Sequence, residues 1–230
     1  MIQQSIKITV DAVIFGYDAA EGIGVLLIQR KNEPFKGKWA LPGGFVEDDE
    51  SLETAALREL EEETSLKLTT LDQVYTFGAP RRDPRGRTVS VAYVGLMRRE
   101  AQLIKAASDA EKVRWFNISK LPNMAFDHRD VFTVALNKLK TTALSEPIGL
   151  ELLDNYFPFS KLTQLYEAIL GRSLNKNQFR KFMLKYGILK EATSDKARLS
   201  MRSQKVYQFD KKIYSKLKKN VAMLSDFLPF

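Results

Sequence analysis

The chain has 230 residues, of which 44% are hydrophobic and 28% charged, and it contains no cysteine. This composition is typical of a folded protein and excludes collagen-like and disordered classes, disulfide bonds and thiolate metal sites. No apolar run reaches the roughly 18 residues that a membrane span requires, and no signal-peptide segment is recognisable. We therefore expect a soluble, cytoplasmic protein without a membrane partner.

Predicted strands and helices alternate over residues 6–139. Strands are indicated by alternating or branched apolar residues, and helices by apolar residues three and four positions apart. Strands are predicted over 6–15, 25–30, 71–77, 89–97 and 113–117, with a turn over 16–24, a loop over 31–37 and helices over 51–64 and 127–139. Elements interleaved in this way indicate an α/β or α+β domain.

A domain boundary is predicted at residues 141–149, where Ser, Glu, Pro and Gly cluster. We expect domains over 1–145 and 150–230. The charge follows this division, because residues 1–150 hold 20 Lys and Arg against 21 Asp and Glu, whereas residues 151–230 hold 16 against 7. So basic a segment is typical of proteins that bind nucleic acid, the alternative being a surface that serves solubility alone.

Residues 47–63 hold nine carboxylates and one arginine. Glu59, Glu62 and Glu63 are spaced so that all three lie on one face of the predicted helix, beside its apolar stripe. Carboxylates that border a buried surface repel one another, and Mg²⁺ with oxygen ligands would compensate their charge. The alternative is an acidic helix whose charges are solvated.

Two glycines before this helix and one arginine within it favour a site for an anion and a metal ion. Gly43 and Gly44 precede the helix, and they allow backbone N–H groups to approach an anionic ligand closely. Arg58, the arginine within the acidic run, is placed to pair with one carboxylate and to hold the others in position.

The spacing of these residues resembles the Nudix box. Five residues separate Gly44 from Glu50, and seven more separate Glu50 from the segment RELEEETSL at 58–66. The segment WALPGGF at 39–45, and Arg30 at the end of a predicted strand, are also similar to that family. The resemblance implies an α/β/α sandwich with a mixed sheet.

The resemblance also assigns roles to the acidic residues. Glu59, Glu62 and Glu63 would bind a divalent metal ion that coordinates a nucleoside diphosphate linked to another moiety. If the domain is an active enzyme, Glu62 and Arg58 are the candidate catalytic residues. The family usually has Gly where this chain has Ser65. A left-handed helix exit costs Ser about 1 kcal/mol, so we expect a shifted or strained exit that impairs hydrolysis more than nucleotide binding.

The segment 77–87 combines four arginines with two prolines and two glycines. Arginine forks suit bidentate contacts with a pyrophosphate, the alternative being an exposed loop with solvated charges. The segment resembles its counterpart in Nudix proteins that handle ADP-ribose, and in the Nudix-related transcriptional regulators of NAD metabolism called NrtR. The candidate effector-binding residues are Arg30, Trp39, Gly43, Gly44, Arg81, Arg82, Asp83 and Arg85.

His128, the only histidine, lies at the predicted start of a helix. A structural hydrogen-bonding role is the simpler interpretation and catalysis the alternative, while Asp127 is the predicted N-cap. A general base outside the acidic helix could be Glu100, Asp109 or Glu111, and the sequence does not choose among them.

The last third predicts two helices joined by a short turn. The first begins with Ser160 as N-cap and ends at Gly171, and the second covers residues 175–186. Strands over 188–190 and 206–209 follow, joined by a basic loop over 191–205. The second helix is predicted to bury Phe179, Phe182, Met183 and Tyr186, and a final helix over 211–224 to pack through Ile213, Leu217 and Val221.

This order of elements predicts a helix-turn-helix followed by a basic wing. Asn, Gln, Arg and Lys on the second helix are the residue types that contact base edges and phosphates. The alternative is a small helical dimerisation module, but the segment also resembles the winged helix-turn-helix of the NrtR regulators. The candidate DNA-binding residues are Lys161, Lys176, Asn177, Gln178, Arg180, Lys181, Lys185, Arg198 and Arg202.

Two functional hypotheses result. By resemblance, the chain is a transcriptional regulator of NAD-metabolism genes, a repressor whose Nudix-like domain binds ADP-ribose as effector and changes its affinity for DNA. Such regulators bind palindromic operators on double-stranded DNA as homodimers. The alternative is an Mg²⁺-dependent ADP-ribose pyrophosphatase that releases AMP and ribose 5-phosphate and carries an accessory C-terminal domain.

Overall fold

The computed structural model describes residues 5–99, 104, 110–192 and 205–219, without the side chains of 217–219. No helix in this part of the chain is long and apolar enough to cross a membrane.

The chain folds into two compact units. One consists of Met1–Gly16 with Gly24–Lys138, and the other of Tyr17–Ile23 with Leu139–Phe230. The domain limits of 1–145 and 150–230 remain a prediction, because the second unit also includes the hairpin around residue 20 and the end of a long helix.

Seven of the described strands form one sheet. Their order is β3-β2-β1-β6-β5, with β4 paired to β1 and β7 paired to β2. The strands are β1 (Lys7–Asp18), β2 (Gly22–Arg30), β3 (Trp39–Ala40), β4 (Gly43–Phe45), β5 (Asp72–Phe77), β6 (Thr88–Arg98) and β7 (Ala110–Asn117). The helices α1 (Leu52–Thr64) and α2 (His128–Ser145) complete this part of the chain.

Several predicted element boundaries in this region are wrong, including the start of β7, which lies at Ala110 and not at residue 113. The turn expected over 16–24 is much shorter, because β1 continues to Asp18 and β2 begins at Gly22. The Asp18 carboxylate closes this hairpin by accepting the N–H groups of Ala20 and Glu21, each at 2.8 Å. Helix α2, which the sequence predicted to end at residue 139, extends to Ser145, and its Ala143 is fully buried.

Helix α1 matches the prediction of 51–64 except at its first residue, because it begins at Leu52. The Ser51 hydroxyl caps the helix by accepting the N–H of Thr54. Ala56 and Leu60 are buried against the sheet, within a core that includes Ile14 and Leu26. This packing fixes which face of the helix turns toward the sheet.

The exit of α1 is strained and not shifted. Ser65 adopts the left-handed conformation, with φ 61° and ψ 14°, and its N–H donates to the Glu61 carbonyl at 2.8 Å. The helix therefore ends where a glycine would end it, at a conformational cost to Ser of about 1 kcal/mol.

The second unit contains a three-stranded antiparallel sheet in the order β8-β10-β9. The sequence analysis missed its first strand, which immediately precedes a helix. The elements are β8 (Phe157–Pro158), α3 (Phe159–Leu170), α4 (Lys176–Lys185), β9 (Leu189–Glu191), β10 (Val206–Phe209) and α5 (Lys211–Lys219). Residues 193–204, which include most of the predicted wing, lie outside the described residues.

The predicted N-cap of α3 is wrong. The cap residue is Pro158, which makes no side-chain capping bond, and Ser160 lies in the first turn of the helix. The helix starts earlier because β8 leads directly into it, so the chain direction is set by strand pairing. Gly171 ends α3 as predicted, in the left-handed conformation with φ 71°. The Asn175 side chain, which the sequence analysis placed inside the second helix, caps α4 by accepting the Gln178 N–H.

The packing of α4 and α5 differs in part from the prediction. Phe179 and Met183 are fully buried, whereas Phe182 and Tyr186 are only half-buried and contact each other. In α5 the buried residue is Tyr214, which the sequence analysis missed, and Ile213 is half-buried. The predicted packing of Leu217 and Val221 lies outside the described side chains.

Candidate functional site

A cavity of about 320 Å³ opens beside α1. That volume lies near the lower end of the range of small-molecule sites in proteins. Most of the residues that the sequence predicted for metal and effector binding line it, namely Arg30, Gly43, Gly44, Glu59, Glu63, Arg82, Asp83 and Arg85.

Three predicted residues are not among those that line this cavity. The Trp39 ring packs edge-on against Phe116, with centroids 4.6 Å apart. Arg81 is exposed, and so is Glu62, whose side chain retains 51% of its accessible surface. The structure therefore separates these residues from the cavity, although α1 carries Glu62 beside two residues that line it.

Arg58 organises the carboxylates of α1. Its Nε and one terminal nitrogen bind both oxygens of Glu50, at 3.0 and 2.6 Å. Its other terminal nitrogen donates to Glu59 at 3.0 Å and to Glu62 at 3.3 Å. The hydrogen bonds from Arg58 hold the pKa of Glu50 below its usual range. Arg58 thus makes the pairing that the sequence indicated and joins the loop before α1 to two of its predicted metal ligands.

Gly43 and Gly44 leave room for the carboxylates of α1. The Gly43 N–H donates to Glu63 at 2.9 Å, so this group serves the chain's own carboxylate, whereas the sequence analysis expected it to approach an anionic ligand. A Cβ atom on Gly44 would lie 2.2 Å from a carboxylate oxygen of Glu59. A side chain at residue 44 would therefore displace a predicted metal ligand.

The predicted metal ligands have the right donor chemistry for Mg²⁺. Glu59 and Glu63 line the cavity with carboxylate oxygens, and burial raises the pKa of Glu59. Among the described residues, no three His, Asp or Glu side chains are arranged to hold a metal ion. Arg58 pairs with Glu59 and Glu62 and so neutralises part of the negative charge that a bound cation would otherwise neutralise. Glu59, Glu62 and Glu63 therefore remain the predicted Mg²⁺ ligands, although their carboxylates are not gathered around one point in this structure.

A buried polar network forms another wall of the cavity. Asp11 accepts a hydrogen bond from the Ser90 hydroxyl at 2.5 Å and lies 3.5 Å from a terminal nitrogen of Arg82. Arg82 binds both carboxylate oxygens of Asp127, at 2.9 and 2.6 Å. The sequence analysis missed Asp11, although a charged residue inside an apolar strand was a usable signal.

His128 is held as a neutral side chain in this network. Its Nδ1 accepts the Leu41 N–H at 2.9 Å, so the proton of the neutral ring is on Nε2, which lies 3.4 Å from Asp11. Burial lowers the pKa of His128 despite the nearby carboxylates. These contacts support the structural interpretation of His128.

Asp127 contributes to the start of α2 in a different way from that predicted. Its carbonyl accepts the Val131 N–H at 3.2 Å, but its carboxylate oxygens accept hydrogen bonds from Arg82. The side chain therefore joins the helix to the arginine loop, where the sequence analysis expected a helix cap.

Aromatic rings and arginines line another part of the cavity. The Cζ atom of Arg85 lies 4.8 Å from the Phe45 ring centroid and 5.4 Å from that of Phe126, and Arg85 also pairs with Asp83 at 2.7 Å. Arg30 lies 4.9 Å from the same Phe126 ring. Sequence reasoning missed both phenylalanines, because Phe45 ends the three-residue strand β4 and Phe126 lies in a turn, and neither segment is long enough to show a periodic pattern. This part of the cavity is suited to a planar, electron-rich group.

The structure places only one of the three candidate general bases. Glu111 is exposed on β7 and is not among the residues that line the cavity. Glu100 and Asp109 lie outside the described residues.

The candidate nucleic-acid interface lies on α4. The residues predicted to contact DNA from this helix are all exposed, namely Lys176, Asn177, Gln178, Arg180, Lys181 and Lys185. Lys161 on α3 is half-buried and pairs with Asp154 at 3.4 Å, so its charge is partly compensated. Arg198 and Arg202 lie outside the described residues.

Residues 6–134 match the NUDIX domain. The chain belongs to the Nudix family. Residues 149–209 match a second family, the NrtR DNA-binding winged helix domain. The predicted fold class, an α/β Nudix domain with a mixed sheet followed by a winged helix-turn-helix domain, is therefore confirmed, as is the resemblance to NrtR regulators.

Three relatives of this Nudix protein are informative. The ADPR responsive transcriptional repressor NtrR of Acinetobacter baylyi is 37% identical over 205 residues, which cover 87% of this chain and 81% of the relative. An ADP-ribose pyrophosphatase of Methanocaldococcus jannaschii is 46% identical over 110 residues, covering 46% of this chain and 62% of the relative.

The third relative is NrtR of Shewanella oneidensis. Its crystal structure with a 27mer DNA has 32% identity and a TM-score of 0.72, over 90% of this chain and 95% of the other. Its NUDIX domain, crystallised with ADP ribose, has 38% identity and a TM-score of 0.54, over 60% of this chain and 90% of the other. The A. baylyi repressor and S. oneidensis NrtR each align with nearly nine tenths or more of this chain, whereas the pyrophosphatase matches less than half of it.

Proposed function

We propose that this Nudix protein is a DNA-binding transcriptional repressor that responds to ADP-ribose. The observation that carries the proposal is the surface of α4, which exposes amide, guanidinium and ammonium groups while Phe179 and Met183 anchor its opposite face. A helix of this kind after a short turn is the element that enters the major groove in helix-turn-helix proteins. The repressor from A. baylyi and NrtR from S. oneidensis share this domain arrangement.

The cavity of the Nudix domain supports ADP-ribose as the effector. Arg30 and Arg85 line it, and arginine side chains suit the two phosphates of a diphosphate, whereas the Arg82 guanidinium is already bound to Asp127. The rings of Phe45 and Phe126 supply apolar surface for a base or ribose. The NUDIX domain of S. oneidensis NrtR was crystallised with the same compound.

The binding of ADP-ribose and the binding of DNA are coupled, because each ligand changes the affinity of the protein for the other. If ADP-ribose binds the free protein better than the DNA-bound protein, it must weaken DNA binding by the same factor. Most regulators of this kind bind a palindromic operator as a two-fold homodimer, and we expect the same arrangement here. Genes of NAD metabolism are the expected targets, and the cytoplasm is the expected location.

A second candidate function is hydrolysis of ADP-ribose to AMP and ribose 5-phosphate. The observation in its favour is the complete Arg58 network, which holds Glu50, Glu59 and Glu62 together. Mg²⁺ bound by Glu59, Glu62 and Glu63 would neutralise the diphosphate and lower the pKa of a bound water molecule. The M. jannaschii relative carries this activity in its name.

One experiment tests both functions. The full chain is titrated with ADP-ribose in the presence of a labelled operator duplex and Mg²⁺, and the same samples are assayed for AMP. The repressor proposal predicts a DNA complex that ADP-ribose alters at about 0.1 M salt, where non-specific binding is reduced. Absence of any DNA complex would contradict it. Release of AMP that Glu62→Gln abolishes would establish the second function.

A further inference from the structure

Arg180 lies on the flank of α4 and not on its most exposed face. Phe179 and Met183 mark the buried side of the helix. With 3.6 residues per turn, Lys181 lies opposite that side, whereas Arg180 lies roughly 80° from its centre. The two basic residues therefore face different surroundings although they are adjacent in sequence.

Aromatic residues of two other elements hold the Arg180 guanidinium. It donates a hydrogen bond to the hydroxyl of Tyr207 on β10. Its Cζ atom lies 5.5 Å from the Tyr207 ring centroid and 5.8 Å from that of Phe159, the first residue of α3. These two rings pack edge-on, and Tyr207 is only 2% exposed. The position of the guanidinium is thus set by the folded domain.

The charge of Arg180 has no carboxylate partner among the residues that the structure describes. In the part of the chain that the structure describes, no carboxylate forms an ion pair with it, in contrast to Arg58, Arg82 and Arg85. Guanidinium has five N–H donors, and the bond to Tyr207 uses one of them. The residue is exposed, so its remaining donors can bind an anion from solution.

We propose that Arg180 binds a phosphate of the DNA backbone and that Tyr207 and Phe159 position it for that contact. A guanidinium held at the side of a helix cannot extend to the floor of the groove, whereas phosphates line both edges of the groove. Base edges are then contacted from the opposite face, by residues such as Asn177 and Lys181. This inference rests on the proposed DNA-binding function and assigns separate roles within it.

The test compares two duplexes at several salt concentrations by fluorescence anisotropy of the full chain. One carries the operator selected from a random-sequence pool, and the other a scrambled sequence of equal composition. Arg180→Ala should lower the affinity for both by a similar factor, about tenfold, and reduce the slope of log affinity against log salt by about one. The ratio of the two affinities should not change.

Tyr207→Phe tests the positioning role. It keeps the ring and the charge of Arg180 but removes the hydroxyl that accepts the hydrogen bond. The affinity for both duplexes should fall several-fold while the salt slope stays at the wild-type value. Loss of folding would not produce this combination. Asn177→Ala is the control and should weaken binding to the operator alone.

Three results would overturn the proposal. Arg180→Ala could lower the affinity for the operator and leave that for the scrambled duplex unchanged, which would assign Arg180 to a base. It could leave both affinities unchanged, which would exclude a contact. Tyr207→Phe could match the wild type in affinity, which would remove the positioning role. A wild-type chain that binds neither duplex would instead contradict the proposed function itself, and this inference with it.

Discussion

The guanidinium of Arg82 forms two hydrogen bonds with the carboxylate of Asp127, at 2.9 and 2.6 Å, and joins the arginine loop to the start of α2. Only 4% of the Arg82 side chain is exposed. Asp127→Asn should therefore lower the free energy of unfolding by about 3 kcal/mol, since it leaves a buried cation with one carboxylate partner fewer. Chemical denaturation monitors this change.

The neighbouring Asp130 provides the matched control. It is an exposed carboxylate in the first turn of α2. Asp130→Asn should change the free energy of unfolding by less than about 1 kcal/mol. Equal losses in the two variants would contradict the role assigned to the Arg82–Asp127 pair.

The burial of His128 makes stability depend on pH. Burial lowers its pKa in the folded chain, whereas the unfolded chain takes up this proton near pH 6.5. The unfolded state thus binds more protons below that pH, so the free energy of unfolding should fall as the pH is lowered from about 6.5 toward the folded pKa.

His128→Asn isolates this contribution, because the Asn side-chain oxygen can still accept the Leu41 N–H. The chain has no other histidine, so the variant should lose most of the slope between about pH 5.5 and 6.5. Urea denaturation at several pH values measures the slope. An unchanged slope in the variant would assign the pH dependence to the carboxylates.

The strained exit of α1 predicts a stabilising substitution. Ser65 has φ 61°, a conformation that Gly adopts without steric cost. Ser65→Gly should raise the free energy of unfolding by about 0.5 to 1 kcal/mol. Ser65→Ala is the control and should give no gain, because Ala has the same steric conflict. If hydrolysis is limited by the position of the α1 carboxylates, AMP release should also rise in Ser65→Gly.

The aromatic part of the cavity predicts a ligand-dependent loss of affinity. Phe45 lines the cavity and is 38% exposed, so its replacement should leave the fold intact. Phe45→Ala should weaken ADP-ribose binding about tenfold if the ring stacks on the base, and leave the affinity for ribose 5-phosphate unchanged. Calorimetric titration with both ligands tests this.

Tyr75→Ala serves as the control for that substitution. Tyr75 is 57% exposed on β5 and does not line the cavity, so its removal should leave both affinities unchanged. If Phe45→Ala weakened both ligands equally, the ring would contact the shared ribose phosphate and not the base.

Local spacing explains why much of the candidate site could be predicted. Glu59, Glu62 and Glu63 lie one helical turn apart, and Ser51 and Asn175 cap helices through residues three positions later. These relationships act within one turn and are therefore visible in sequence. The Arg58–Glu50 pair spans eight residues, across the start of the same helix.

The network of the cavity could not be predicted in the same way. Asp11 and Arg82 are 71 residues apart, Leu41 and His128 are 87 apart, and they meet only because strand order brings their elements together. Phe45 and Phe126 lie in segments without periodicity, so nothing in the local pattern indicates that they line one cavity.

By itself, the sequence determined that this protein has an acidic Nudix helix with its carboxylates on one side. It also determined a basic helix-turn-helix whose polar residues face outward. Both features follow from side chains that recur every three or four residues and therefore share one face of a helix. Only the tertiary structure decided that Arg82 is committed to Asp127 and that Tyr207 holds Arg180. Those partners are chosen by the pairing of distant strands and loops, and a side chain with several possible partners binds the one that folding places within reach.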